Sequence, residues 1–223
     1  MDPGLYIVCT PIGNLADITL RALDALRGAD VIIAEDTRHT RKLLERYEIK
    51  VPLLSCHKFN EASRVNAVIR RLSNGEAVVM VSDSGTPAVS DPGARVVTAC
   101  HQHKIPVTIL PGPSAVTAAV ALAGFGGDAF RFEGFLSHKS ATRKRRLGEL
   151  KDEKVPVVFF ESPYRLIKLM NEIVEVLGER DVFVGRELTK KYEECLRGTP
   201  SEILAAFEGR TVKGELVVVM GPE

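Results

Sequence analysis

The chain is 223 residues long, enough for one large domain or two small ones. Hydrophobic residues at 45% and charged residues at 26% match a globular protein and exclude a disordered or coiled-coil chain. With 30 basic and 29 acidic residues the net charge is +1, so any nucleic-acid binding has to come from a local patch. No apolar run nears the roughly 20 residues of a membrane span. Met1-Asp2-Pro3-Gly4 lacks a secretory leader pattern, so a cytoplasmic location is expected. Cys9, Cys56, Cys100 and Cys195 form no CxxC pair and read as buried thiols. His101 and His103 would point to different faces of a helix, and no metal is expected.

In chain order, residues 5–10 (LYIVCT) read as a buried strand and residues 18–27 as an amphipathic helix carrying Leu20, Leu23, Ala25 and Leu26. A strand at 31–34 (VIIA), a helix at 37–47 and a short strand at 52–55 follow. Then come a helix at 60–72 stopped by Asn74-Gly75, a strand at 78–81 (VVMV), a helix near 94–101 and a strand at 107–110. This alternation predicts a parallel sheet covered on both faces. Pro111-Gly112-Pro113 is the strongest punctuation, which suggests domains at 1–111 and 112–223. Ser114 then opens a small-residue helix over 115–123.

The second half has strand-like runs at 130–133, 155–160, 181–187, 192–197 and 216–220, with helices at 141–150, 164–177 and 201–207. The short polar turn between the third and fourth runs predicts a hairpin and a mixed sheet. The expected fold is therefore α/β in two domains, the first a mainly parallel sheet flanked by helices, the second a mixed sheet with helices.

Ligands of parallel sheets gather at the carboxyl ends of the strands. Four loops there are rich in Gly, Pro and small polar residues: 10–15 (TPIGNL), 35–40 (EDTRHT), 82–87 (SDSGTP) and 110–114 (LPGPS). None is GxGxxG or GxxxxGK[ST], so dinucleotide and ATP readings lose their usual support. What remains is a site of backbone groups made approachable by glycine, with Asp83 as a fixed charge, suited to a nucleoside with a zwitterionic tail. Ordinary turn chemistry explains any one loop, but four at four strand ends favour a site. Asp83 either holds its turn or binds a cofactor hydroxyl or ammonium, and the second is preferred. Gly85 serves as turn glycine, as a point of close approach, or both. Asp36 is placed to cap the helix at 37–47. With Glu35, Arg38 and His39 it also puts two acids and two potential cations at one strand end. The planar fork of Arg38 suits a phosphate or carboxylate.

The one clear basic run is Lys139-Ser140-Ala141-Thr142-Arg143-Lys144-Arg145-Arg146. Residues 139–154 hold seven Lys/Arg and three Asp/Glu. Lys139, Arg143 and Arg146 share a helix face, while Leu147 and Leu150 can pack inward. The run is either a solvated face or a phosphate grip. It lacks interleaved aromatics, which points to backbone contact rather than base stacking. By themselves, residues 186–190 (RELTK) and 213–215 (KGE) are commonplace turns.

TPIGNLADIT, AEDTRHT, VSDSGTPAVSDPG, LPGPSAVTAA, FEGFL, RELTK and KGE fall in this order. From about Leu5 to Met220 the chain resembles the ribosomal small-subunit RNA methyltransferase I family, a branch of the tetrapyrrole (corrin/porphyrin) methylase fold. AEDTRHT together with VSDSGTP is specific to the RNA-acting branch. The resemblance implies methyl transfer from S-adenosylmethionine to the ribose 2′-hydroxyl of a decoding-region cytidine, with the small ribosomal subunit or its RNA as partner. It also implies a homodimer and a cofactor cleft between the domains, with Leu188 and Gly214 contributing from the second. Pro11, Asp83, Gly85, Ala88 and Ser114 are the residues expected around the cofactor. Arg38, Lys139, Arg143, Lys144, Arg145 and Arg146 are expected to grip RNA.

A ribose hydroxyl is a weak acid, so a base helps remove its proton, and Asp36, Glu35 and His57 are the candidates. A sulfonium donor is activated enough that alignment also supplies much of the catalysis. Two departures from the family pattern stand out: Cys9 replaces a proline, and Cys56-His57-Lys58-Phe59-Asn60 replaces a YHEHN-like segment, so Phe59 stands for a histidine and Lys58 for an acid. His57, Asn60 and Glu61 are retained. The rivals are a precorrin or porphyrinogen C-methyltransferase, which AEDTRHT and KSATRKRR disfavour, and a non-catalytic RNA- or cofactor-binding module on a methylase scaffold, which turnover separates.

Overall fold

The computed structural model describes all 223 residues, in two compact units, Met1–Ser114 and Ala115–Glu223. The division falls just after the Pro111-Gly112-Pro113 punctuation. The first unit runs β1 (Gly4–Val8), α1 (Leu20–Gly28), β2 (Val31–Ala34), α2 (Thr37–Arg46), β3 (Leu53–Ser55), α3 (Glu61–Ser73), β4 (Ala77–Val81), α4 (Ala94–Gln102) and β5 (Val107–Leu110). Its five strands are all parallel, in the order β3-β2-β4-β1-β5.

Strict alternation divides the central strands between two cores. Ile32, Ala34, Val79 and Val81 pack with Leu23, Leu26, Leu43 and Leu44 of α1 and α2. Val31, Ile33, Val78 and Met80 pack with Val68, Leu72, Val96 and Cys100 of α3 and α4. Burial on both faces is why these strands read as continuous apolar runs. The connection leaving β1 therefore passes over one face, through α1, and that leaving β4 over the other, through α4. These two strands are neighbours, so a crevice opens at their carboxyl ends, where open α/β sheets bind ligands.

Helix α1 starts at Leu20 rather than residue 18, because the Thr19 hydroxyl caps it by accepting from the Ala22 amide at 3.1 Å. Residues Leu15–Asp17 form a separate 3-10 turn capped by Asn14.

The second unit runs α5 (Ala115–Ala123), β6 (Arg131–Phe135), α6 (Ser140–Glu149), β7 (Val157–Glu161), α7 (Leu166–Leu177), β8 (Val182–Arg186), β9 (Glu194–Gly198), α8 (Pro200–Ala206) and β10 (Leu216–Met220). The sheet order is β6-β7-β10-β8-β9, with β6 and β7 parallel and the other neighbours antiparallel. The mixed sheet and the β8–β9 hairpin match the sequence pattern. Strand β9 begins later than residue 192 because the Glu193 carboxylate accepts from the Thr189 amide at 2.5 Å, holding the turn open. A single apolar core, including Phe159, Leu166, Met170, Ile173 and Val218, joins this sheet to α6, α7 and α8. Three cysteines are buried, but Cys195 is exposed on edge strand β9, against the expectation of four buried thiols. No helix is long and apolar enough to cross a membrane.

Candidate active site

The loops after β1 and β4 are stitched together at the crevice. Thr10 and Gly85 exchange both backbone hydrogen bonds, at 2.9 and 3.0 Å. Gly85 has φ +72°, a left-handed geometry that glycine adopts without a steric cost. The Cys9 sulfur lies 3.3 Å from the Thr86 hydroxyl, so the departure at Cys9 is a second tie between the same loops. Further along, Ala88 and Ser90 hold φ of +67° and +63°. Such strain on residues with a Cβ persists only where the surroundings impose it, and it concentrates at ligand clamps. Pro11 is buried and lines, with Thr10, His39, Thr40, Ser82 and Asp83, a cavity of about 20 Å³, roughly one water. The Thr40 hydroxyl is buried there without a hydrogen-bond partner. Ser114 closes the first unit, immediately before α5.

Strands β2 and β4 are neighbours, which brings Glu35 and Asp36 alongside Asp83. The Asp83 carboxylate accepts from the Asp36 amide at 3.0 Å, so it organises the β2 loop whatever else it binds. Asp36 caps α2 through the Arg38 amide at 2.8 Å and accepts from the Arg38 guanidinium at 3.1 and 2.6 Å. Those Arg38 hydrogen bonds hold its carboxyl well below the usual range. This corrects two expectations. Asp36 is a weak base, and the Arg38 fork is already occupied by a carboxylate, although its side chain is 88% exposed.

Glu35 is the opposite case. Burial, then the charges of Asp91 and Asp83, push its carboxyl up to about 7, against a lowering hydrogen bond from the Asp83 backbone. Asp91 is itself raised by burial, with a Ser82 hydrogen bond opposing and Asp83 adding. Asp91 was missed in the sequence. Its signal was the second Ser-Asp pair in VSDSGTPAVSDPG.

The loop after β3 leaves beside Glu35, since the Cys56 amide donates to the Ala34 carbonyl at 2.8 Å. Asn60 staples it, accepting from the His57 amide at 2.7 Å and donating to the Ser55 carbonyl at 3.4 Å. His57 accepts from the Phe59 amide through Nδ1 at 3.3 Å. In the neutral ring that assigns the proton to Nε2, leaving no lone pair for a substrate, so His57 fits a donor rather than the expected base. Glu61 accepts from the Gly93 and Arg95 amides at 2.9 and 3.0 Å, fixing the start of α4.

In the second unit, Leu188 is buried and lies in a turn where Glu187 and Thr189 hold φ of +51° and +66°. Gly214 has φ +93°, and a Cβ there would lie 2.5 Å from the Glu187 side chain. Glu187 and Glu215 are joined by hydrogen bonds of 2.9 and 2.8 Å, and Lys190 bridges both carboxylates. RELTK and KGE are thus one clamp.

The basic run on α6 is not the free phosphate grip expected. Arg143 is 1% exposed, and its guanidinium binds Glu172 at 2.5 and 2.8 Å and the Ser137 carbonyl at 2.7 Å. It lies one turn before Leu147 on the inward face, which is why it turns toward α7 instead of solvent. Lys144 pairs with Glu175 at 2.5 Å. Arg146 pairs with Glu133 and Glu149 at 2.7 and 2.8 Å. Arg145 reaches Glu149 at 3.7 Å, and Lys139 is exposed ahead of the helix. Leu147 and Leu150 pack inward as their spacing predicts.

Residues 4–204 match the family Tetrapyrrole (Corrin/Porphyrin) Methylases. The chain is 49% identical over 216 residues to "Ribosomal RNA small subunit methyltransferase I" of Thermotoga maritima, covering 97% of each. It is 42% identical to the protein of that name in Bacillus subtilis, over 97% of this chain and 74% of that one. A cobalt precorrin-4 methyltransferase shares the fold with a TM-score of 0.71 at 21% identity, over 97% of this chain and 94% of that one. A diphthine synthase does so with 0.73 at 15% identity, over 97% and 89%. Likeness to the corrin enzyme thus stops at the fold, which sets the precorrin reading aside. The chain belongs to the small-subunit ribosomal RNA methyltransferase I family of tetrapyrrole (corrin/porphyrin) methylases.

Proposed function

We propose that this protein methylates the ribose 2′-hydroxyl of a cytidine in the decoding region of small-subunit ribosomal RNA, working in the cytoplasm as a homodimer. The observation that carries the chemistry is the place of Glu35, at the carboxyl end of β2 beside the β4 loop of Asp83 and Asp91, where burial and those acids raise its carboxyl to about 7. The loops around it fit S-adenosylmethionine. The unpartnered Thr40 hydroxyl and the Asp83 carboxylate suit hydroxyl or ammonium groups, and the strained Ala88 turn and Gly85 offer backbone. Pro11, Asp83, Gly85, Ala88 and Ser114 hold the cofactor in this reading. When bound, the cofactor supplies an electrophilic methyl on a sulfonium that departs as a neutral thioether. Glu35 accepts the 2′-hydroxyl proton on its carboxylate, Asp36 and Asp83 fix the loop that carries it, and His57 donates from Nε2 to the substrate.

The test is tritiated methyl transfer to small subunits lacking the modification, with the product mapped to ribose or base. Glu35→Gln should lower the single-turnover rate by about 10²–10⁴ while cofactor affinity holds. The parent's rate should climb as pH rises through about 7, because Glu35 must be ionised to act. Asp36→Asn keeps the cap and should transfer at near the parent rate. A parent-like rate for Glu35→Gln would leave alignment as the account. Binding of S-adenosylmethionine should persist with a chelator present.

Stability carries a matching signature. Glu35 ionises at about 4.5 when unfolded and about 7 when folded, so its ionisation erodes stability as pH rises across that window. Glu35→Gln should therefore raise Tm more at pH above about 7 than at pH below about 4.5.

A further inference from the structure

We propose that the exposed face of α2, with Lys58 and Phe59 of the neighbouring loop, is the surface on which an unpaired RNA strand docks, cations on phosphates and Phe59 under a base. The proposal deepens the reading of RNA methyl transfer at Glu35 and rests on it. Helix α2 buries Thr40, Leu43 and Leu44 and exposes Arg38, His39, Arg41, Lys42, Glu45 and Arg46. Glu45 is the only acid on that face. Arg38 is held by Asp36, but Arg41, Lys42 and Arg46 take part in none of the protein's ion pairs. Arg38, Arg41 and Lys42 are three and four residues apart and lie on one side of the helix.

Position adds to charge. Helix α2 begins at the Asp36 cap, next to Glu35. The loop carrying Phe59 starts from the hydrogen bond between Cys56 and Ala34, at the strand end that delivers Glu35. The Phe59 ring is 94% exposed and meets His57 edge-on, with centroids 6.2 Å apart. Its amide is fixed to His57 Nδ1, so the ring is displayed on an ordered turn. An aromatic platform beside a cationic track is how single strands are held. An unpaired strand can splay a base out of its stack onto an aromatic ring, which a paired one cannot, and Phe59 offers such a ring.

The test is fluorescence anisotropy with a labelled single-stranded RNA oligonucleotide across a salt titration, using the full chain. Replacing Arg41 and Lys42 together by alanine should reduce the magnitude of the log–log salt slope by about 1.4, two phosphate contacts at about 0.7 each. Phe59→Ala should weaken binding by about tenfold with the slope unchanged, and Phe59→Trp should restore it. Cofactor affinity and Tm should hold for all three, and on small subunits KM should rise while the saturated single-turnover rate stays. Parent-like affinity and slope in the double variant would overturn the proposal. So would unchanged RNA binding with weakened binding to assembled subunits, which would make the surface a dock for ribosomal protein. Failure of the methyl-transfer reading itself would show separately, as a parent protein that transfers no methyl group.

Discussion

Helices α2 and α6 look alike in sequence, TRHTRKLLER against SATRKRRLGE, each with four Arg/Lys and one Glu in ten residues. In the fold they do different work. On α6, Glu172, Glu175, Glu133 and Glu149 come from α7, β6 and the helix itself to meet Arg143, Lys144 and Arg146. The run fastens α6 to its neighbours. On α2 no acid arrives for Arg41, Lys42 or Arg46, and the face keeps its charge unpaired. Counting charges in a window measures density, whereas the field a surface presents depends on partners that lie far away in sequence.

The largest effect that sharpens this contrast is Arg143→Ala. It strands Glu172, 4% exposed at its side chain, and should cost about 3–5 kcal/mol in denaturant unfolding. The RNA salt slope should not change. Burial pushes the Glu172 carboxyl up, but hydrogen bonds from Arg143 and Ser140 outweigh it and leave it below its ordinary 4.5. The pair's stabilisation should therefore be present above about pH 4.5 and fade as pH falls below it. A variant that stays stable but loses RNA would return α6 to the phosphate role.

Arg146→Ala should cost less, about 1 kcal/mol, because its side chain is 35% exposed and solvent screens the pairs with Glu133 and Glu149. The double replacement of Arg41 and Lys42 should shift stability by less than about 0.5 kcal/mol, since neither side chain has an ion-pair partner. Smallest of all, Arg145→Ala should leave both stability and RNA affinity within error, its contact to Glu149 being long and exposed. A large loss of RNA affinity there would erase the distinction between the helices.

The architecture was legible because strands buried on both faces cannot hide. VIIA and LVVVM are apolar on every residue, and β2, β5, α5 and β10 fall at the bounds their patterns predict. Where bounds slipped, a cap decided them, as at Thr19, whose hydroxyl delays α1. The site was legible as a set of loops but not as chemistry. Glu35 and Asp36 are adjacent in sequence, yet their carboxyls are displaced in opposite directions. Arg38, two residues on, lowers one; burial, with Asp91 and Asp83 from a loop roughly fifty residues away, raises the other. No local pattern carries that information. Likewise, the tautomer of His57, a candidate base in the sequence, is set by one backbone amide, that of Phe59, which only the folded turn presents to it.

The clamp in the second unit has a consequence for variation. Gly214 and Glu187 occupy nearly the same space, so any side chain at position 214 must evict the one at 187. Glu187 also anchors Lys190 and the Glu215 amide, so its displacement would slacken both turns at once. The two segments are therefore mechanically coupled through Glu187. A replacement of Gly214 should need a smaller residue at 187, and even then it carries the strain of a φ of +93° on a residue with a Cβ.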